Sequence, residues 1–176
     1  VITMRRMFLQ ATSFNQPLNW DVSSVASMFQ MFHTASSFNQ PLNWDVSSVT
    51  DMFSMFYQAY AFNQPLSWDT SNVLVMGQMF HTATSFNQPL TFDTSSVASM
   101  IRMFRGANAF NQDLSSWDVS SVTQMPYMFY EATSFNQPLT WDTSSVINMY
   151  QMFNYAVSFN STLTFSDTSS VTNMQG

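Results

Sequence analysis

One phase-locked pattern governs this chain: a Phe-Asn pair returns at Phe14, Phe38, Phe62, Phe86, Phe110, Phe135 and Phe159, 24 residues apart except for one step of 25. A unit this short buries too little apolar surface to offset the entropy of ordering its own backbone, so neighbouring units must stack and share a core. The chain is therefore expected to fold as a solenoid of seven coils.

The unit reads Val-x-x-Met-x-x-Met-Phe-x-x-Ala-x-x-Phe-Asn-Gln-Pro-Leu-x-Trp-Asp-(Val/Thr)-Ser-Ser. All 15 methionines fall in its two Met columns, and the five tryptophans, Trp20, Trp44, Trp68, Trp117 and Trp141, share one column that Phe92 and Phe165 complete. The period of two in Leu18-x-Trp20-x-Val22 predicts a short strand, and one strand per coil predicts a parallel sheet. The spacing of three and four in Val25-x-x-Met28-x-x-Met31-Phe32-x-x-Ala35 predicts a helical stripe. Pro126 and Gly77, each directly after the first Met of its unit, would break a helix passing through that point. The helix is therefore expected to start near the first Met, with Ser27, Asp51, Ser99 and Asn148 as N-caps, and to be one or two turns long or partly 3₁₀. The expected class is thus an α/β repeat solenoid, each coil of 24–25 residues supplying one short parallel strand and one short helix or 3₁₀ turn. One-residue insertions at Ser115 or Ser116 and around Ser166 are expected to bulge as loops.

Residues 1–176 form one array, since no Pro-, Gly- or Ser-rich linker interrupts the period. The opening Val-Ile-Thr-Met-Arg-Arg resembles neither an initiator start nor a signal peptide, and neither end carries a polar capping sequence, so the expectation is a fragment of a longer chain or a subunit that assembles end to end. No apolar run is long enough for a membrane span. The absence of cysteine excludes disulfide and thiol chemistry. Four arginines, Arg5, Arg6, Arg102 and Arg105, face ten carboxylates and there is no lysine, which argues against a nucleic-acid partner.

Three columns are candidates for function. Asn15, Asn39, Asn63, Asn87, Asn111, Asn136 and Asn160 recur in every unit and are expected to form a structural ladder whose amides bridge successive coils. The Asn160-Ser161-Thr162 sequon lies in this column, where burial is expected to prevent glycosylation. Asp21, Asp45, Asp69, Asp93, Asp118, Asp142 and Asp167 form a column of carboxylates about 5 Å apart, whose mutual repulsion something must offset. Asx-type turns onto the following Ser-Ser account for that offset, and no cofactor is then needed. A bound cation, calcium by its preference for hard oxygen ligands, is the alternative, although one acid per coil is a meagre ligand set. Asn19, Asn43, Ser67, Thr91, Ser116, Thr140 and Thr164 form an exposed polar column, a possible interaction face for glycans, a mineral or ice.

Enzyme readings find no footing, for no Gly-x-Ser-x-Gly elbow, phosphate loop or His-Glu-x-x-His pattern is present. His33 and His81 share a phase with Leu9, Tyr57, Arg105, Tyr130 and Asn154, a variable column that reads as solvated surface. Two coils place these imidazoles about 10 Å apart, too far for one metal ion.

Met-Phe, Ser-Phe-Asn-Gln-Pro-Leu and Trp-Asp-Val-Ser-Ser-Val at this spacing resemble the BspA-like, mycoplasma-type repeat of unknown function found in bacterial and protist surface proteins. The resemblance covers the whole chain. It implies a leucine-rich-repeat-like solenoid, extracellular or anchored at the cell surface, serving adhesion or protein and glycan interaction, and it carries over no catalytic residue. Phe92 and Phe165 in place of tryptophan, and Asp113 and Thr162 in place of proline, depart from the pattern. The expected function is a non-catalytic surface module with a protein or glycan partner; the alternative is a filament subunit that self-associates through open coil ends.

Overall fold

The computed structural model describes residues 2–175; Val1 and Gly176, the limits of the expected array, lie outside the described residues. Parallel pairing at an offset of one repeat runs along the chain. β1 (Ile2–Thr3) pairs with β2 (Val25–Ser27). The pairing continues as single bridges from Ser27 to Asp51, Val75, Ser99, Gln124, Asn148 and Asn173, one residue in each coil. The coils thus stack along one axis as a solenoid.

The interior is built of single-residue columns. Phe32, Phe56, Phe80, Phe104 and Phe129 are fully buried and lie nearly parallel to one another, 5.6 or 5.7 Å apart from coil to coil. The phenylalanines of the Phe-Asn pair make a second such stack, and the two stacks touch within each coil, as at Phe56 and Phe62 with centroids 4.0 Å apart. Both Met columns pack beside them, with Met28, Met31, Met52 and Met55 completely inaccessible. Threonines that replace valine in the core keep their hydroxyls satisfied: Thr70 donates to the Asp93 carbonyl at 2.9 Å and Thr94 to that of Asp118 at 2.8 Å.

Two expectations are corrected. The described residues contain no helix; the segment after the first Met is a chain of tight turns. In the second coil Met31, His33 and Ala35 donate to the carbonyls three residues earlier, while Met28, Gln30, Phe32 and Thr34 between them donate to Asp51, Phe53, Met55 and Tyr57 of the next coil. A helix would direct every one of these amides inward to its own turn. Left-handed backbone at Gln30 (φ 53°) and Thr34 (φ 59°), repeated at the same phases up to Gln151 and Tyr155, rotates alternate amides toward the neighbouring coil. Two of the expected caps act on turns instead: the Asp51 carboxylate accepts the Phe53 N–H at 3.0 Å, and the Asn148 amide oxygen accepts the Tyr150 N–H at 2.9 Å. Pro126, which has no N–H to offer, stands two residues after Gln124, a position at which the other coils carry Thr, Ser, Asp, Val or Asn.

The second correction concerns the strand. The recurring bridge sits just before the first Met and not in every Leu-x-Trp segment. In four coils the carbonyl of that leucine is taken by a tryptophan indole of the next coil: Trp44 to Leu18, Trp68 to Leu42, Trp117 to Leu90 and Trp141 to Leu114, at 3.0–3.3 Å. Where phenylalanine replaces tryptophan the leucines do pair. Leu66 bridges Leu90 below Phe92, and β3 (Leu139–Trp141) pairs in register with β4 (Leu163–Phe165). The insertion at Ser115–Ser116 is a turn closed by the Trp117 N–H on the Leu114 carbonyl, 3.1 Å, and by the Ser115 N–H on the Asp113 carboxylate, 2.8 Å.

Candidate interaction faces

Stacking turns each sequence column into a line along the solenoid. In the asparagine line each amide oxygen accepts the backbone N–H of the next asparagine: Asn39 on Asn15, Asn63 on Asn39, and so on to Asn160 on Asn136, all at 2.8–3.0 Å. The following glutamine donates to the same oxygen, as Gln112 does to Asn87 at 2.9 Å. This line spends its polar groups on the coil-to-coil joint. Asn160 is exposed, so the expected burial of the sequon is overturned; as the last asparagine of the line it has less of the stack beyond it.

Each aspartate of the acidic line is exposed and closes a turn onto the serine two residues on. The Asp45 carboxylate accepts the Ser47 N–H at 3.0 Å and its hydroxyl at 2.6 Å. Asp21, Asp69 and Asp93 repeat the arrangement. Asp118, Asp142 and Asp167 accept the N–H of Ser120, Ser144 and Ser169. These hydrogen bonds hold the carboxyls below the usual carboxylate range, the serine hydroxyl leading at Asp45 and the backbone N–H leading at Asp142, while neighbouring aspartates raise Asp45 in opposition. Among the described residues no three His, Cys, Asp or Glu side chains are grouped to hold a metal ion. Asn19, Asn43, Ser67, Thr91, Ser116, Thr140 and Thr164 are all exposed.

The turn segments carry a different chemistry. All six tyrosines, both histidines and all four arginines lie between the first Met and the Phe-Asn pair of their coils, whereas nine of the ten carboxylates, all but Glu131, lie elsewhere. The column expected to be solvated is instead an interlocked stack. His33 lies on Tyr57 with centroids 4.3 Å apart, Tyr57 on His81 at 4.4 Å, and the Arg105 guanidinium sits 4.7 Å from the centre of Tyr130. Arg102 and Arg105 both lie over Tyr127, at 5.1 and 5.9 Å, while Arg5 and Arg6 lie over Phe29 at 4.4 and 5.4 Å. His81 is only 9% exposed; burial first, then the charges of Arg105, Arg102 and His33, push its pKa down to about 4. His33 is lowered as well, chiefly by burial.

Taken residue by residue, the column is variable. Sorted by phase, Tyr, His and Arg are confined to one side of the unit, and that is the signal the sequence carries for this face. No helix among the described residues is long and apolar enough to cross a membrane.

A family described as Mycoplasma protein of unknown function, DUF285, matches the chain over residues 1–92, 66–140 and 139–176. No curated protein and no solved structure matches.

Proposed function

The chain belongs to the DUF285 family of mycoplasma proteins of unknown function, and on that premise we propose that it is a non-catalytic interaction module, extracellular or at the cell surface, that binds a protein or glycan through its turn face. The finer likeness to BspA-like surface proteins, and through them to leucine-rich-repeat solenoids, is part of this proposal. One observation carries it: every tyrosine, histidine and arginine of the chain is gathered on the turn segments. Tyrosine and arginine are the residues that dominate binding energy at protein interfaces, because they offer large contact area with few rotatable bonds and a polar tip. Tyr60 and Tyr155 are 40% and 61% exposed, a large aromatic surface that the core does not use.

Glycan and surface-protein arrays probed with the whole chain test this reading. Tyr57→Ser with Tyr130→Ser is expected to weaken capture at least about tenfold, as hot-spot removal does, while Asn43→Ala with Thr91→Ala leaves it intact. The reverse pattern would move the function to the polar column.

A filament reading has one observation in its favour. An apolar cavity of about 150 Å³ lies at the last coils, lined by Met149, Met152, Phe153, Leu163, Phe165 and Met174. Another coil, from a continuation of this chain or from a second copy, would fill it. Electron microscopy separates the readings: particles near the 34 Å or so expected for seven coils favour the module, and fibres many times longer favour the filament.

A further inference from the structure

We propose that His81, Arg102 and Arg105 form a binding site for a single oxyanion, a carboxylate or a sulfate group, on the turn face. The inference deepens the interaction reading above and rests on it for its biological meaning, but the site itself is tested without a macromolecular partner.

Its first support is placement. Arg105 occupies the position of His81 one coil further along, and Arg102 lies three residues before it in the same turn segment. Both guanidiniums rest over the one ring of Tyr127, and the charges of both bear on His81. Three basic groups therefore lie on two adjacent coils, the two arginines sharing one ring. The other titratable groups around the column are His33 and Tyr57 on one side and Tyr127, Tyr130 and exposed Glu131 on the other.

The second support is independent of charge. His81 is more than nine-tenths buried, yet its Nε2 has no hydrogen-bond partner, and neither has the buried Nε of Arg102. Thr82 Oγ1 lies 3.4 Å from His81 Nδ1. With that hydroxyl donating to Nδ1, the ring proton resides on Nε2, so both orphans are N–H donors. Two unmet buried donors and two arginine forks on adjacent coils lack acceptors, which is what an oxyanion supplies. Guanidiniums resting on ring faces can pivot over an incoming anion without first breaking a carboxylate pair.

The probes are sodium sulfate and sodium acetate, titrated at constant ionic strength against chloride and followed by NMR of the two histidines, which His33→Gln assigns. Saturable shifts of the His81 resonances are expected, with the His81 midpoint moving up by about one pH unit in the presence of the bound anion, while His33 stays in place. Arg102→Gln and Arg105→Gln should each abolish saturation. Arg5→Gln with Arg6→Gln removes twice as much charge from the other arginine pair and should leave it unchanged. A stronger response to sulfate than to acetate would identify sulfate as the ligand group, and the converse a carboxylate. Equal, unsaturable shifts of both histidines, or equal losses from either arginine pair, would overturn the site. Array binding that survives Arg102→Gln but not Tyr57→Ser would then retain the turn face as an interaction surface without it.

Discussion

The indole Nε1 of Trp44 donates to the backbone carbonyl of Leu18 on the preceding coil at 3.1 Å, and that bond replaces the strand pairing that the Leu-x-Trp alternation otherwise favours. The two coils with phenylalanine in the tryptophan column show the alternative, since Leu66 and Leu139 there pair directly with Leu90 and Leu163. Trp44→Phe is therefore expected to cost only about 0.5–1.5 kcal/mol in urea denaturation, the scale of one hydrogen bond. Trp44→Ala, which also empties core volume, should cost about 3–5 kcal/mol. Equal losses for the two variants would show that the indole bond contributes nothing.

The columns themselves were legible in the sequence because in a stack each phase of the repeat becomes one line, whatever the backbone does between lines. The two Phe stacks, the Met columns and the asparagine line needed only the period. Backbone conformation was not legible, for two physical reasons. Met28, Met31, Phe32 and Ala35 share a side through a chain of turns as well as they would through a helix, and the left-handed residues that decide the matter, such as Gln30 and Thr34, are not glycines. The Leu-x-Trp strand pairs at only two of the coil joints because at the other four the leucine carbonyl is taken by an indole. The oxyanion cluster was hidden for a third reason: His81 and Arg105 fill one phase with different residue types, Arg102 stands three residues before Arg105, and only the stack sets them on adjacent coils.

The asparagine line should be the stiffest polar joint. Asn87 accepts both the Asn111 N–H and the Gln112 side-chain amide at 2.9 Å. Asn87→Ala leaves a half-buried backbone donor unpaired, a loss of about 1–3 kcal/mol by urea denaturation. Asn87→Asp retains an acceptor oxygen and is expected to lose less.

His81 gives the fold a pH dependence of known sign. Its folded pKa of about 4 lies below the ordinary histidine value of 6.5, so the folded protein binds fewer protons than the unfolded chain between those limits. Its contribution is complete above about pH 6.5 and is lost as the pH falls toward 4, by about 3 kcal/mol in all. Denaturation midpoints measured across that window in chloride buffers should fall less steeply for His81→Gln. The aspartate turns, with carboxyls held below the usual range, add their own loss below about pH 4.

Gly77 is fixed by its neighbours rather than by a turn. A methyl group on it would lie 2.9 Å from Ile101 Cγ2 and 3.1 Å from the Phe53 ring. Gly77→Ala is expected to destabilise by about 1–3 kcal/mol through overpacking. Adding Ile101→Ala removes the closest clash, so the double variant should recover part of the loss; simple additivity would rule this account out.

The most general consequence of line-by-line stacking is that register counts for more than length. Removing residues 63–86 joins Phe62 to Asn87, a step that restores the Phe-Asn pair and keeps every later column in phase. The two coils brought together present the same Met, Phe and Asn lines to each other, so the shortened chain should still unfold cooperatively, with stability reduced by roughly one coil and its interface. Removing residues 63–74 takes half as much chain but sets the apolar positions of one coil against the polar turns of the next. Its circular dichroism and denaturation profile should show loss of the cooperative transition. Were the longer deletion to prove the more damaging of the two, stability would reside in total buried area and not in the matching of columns.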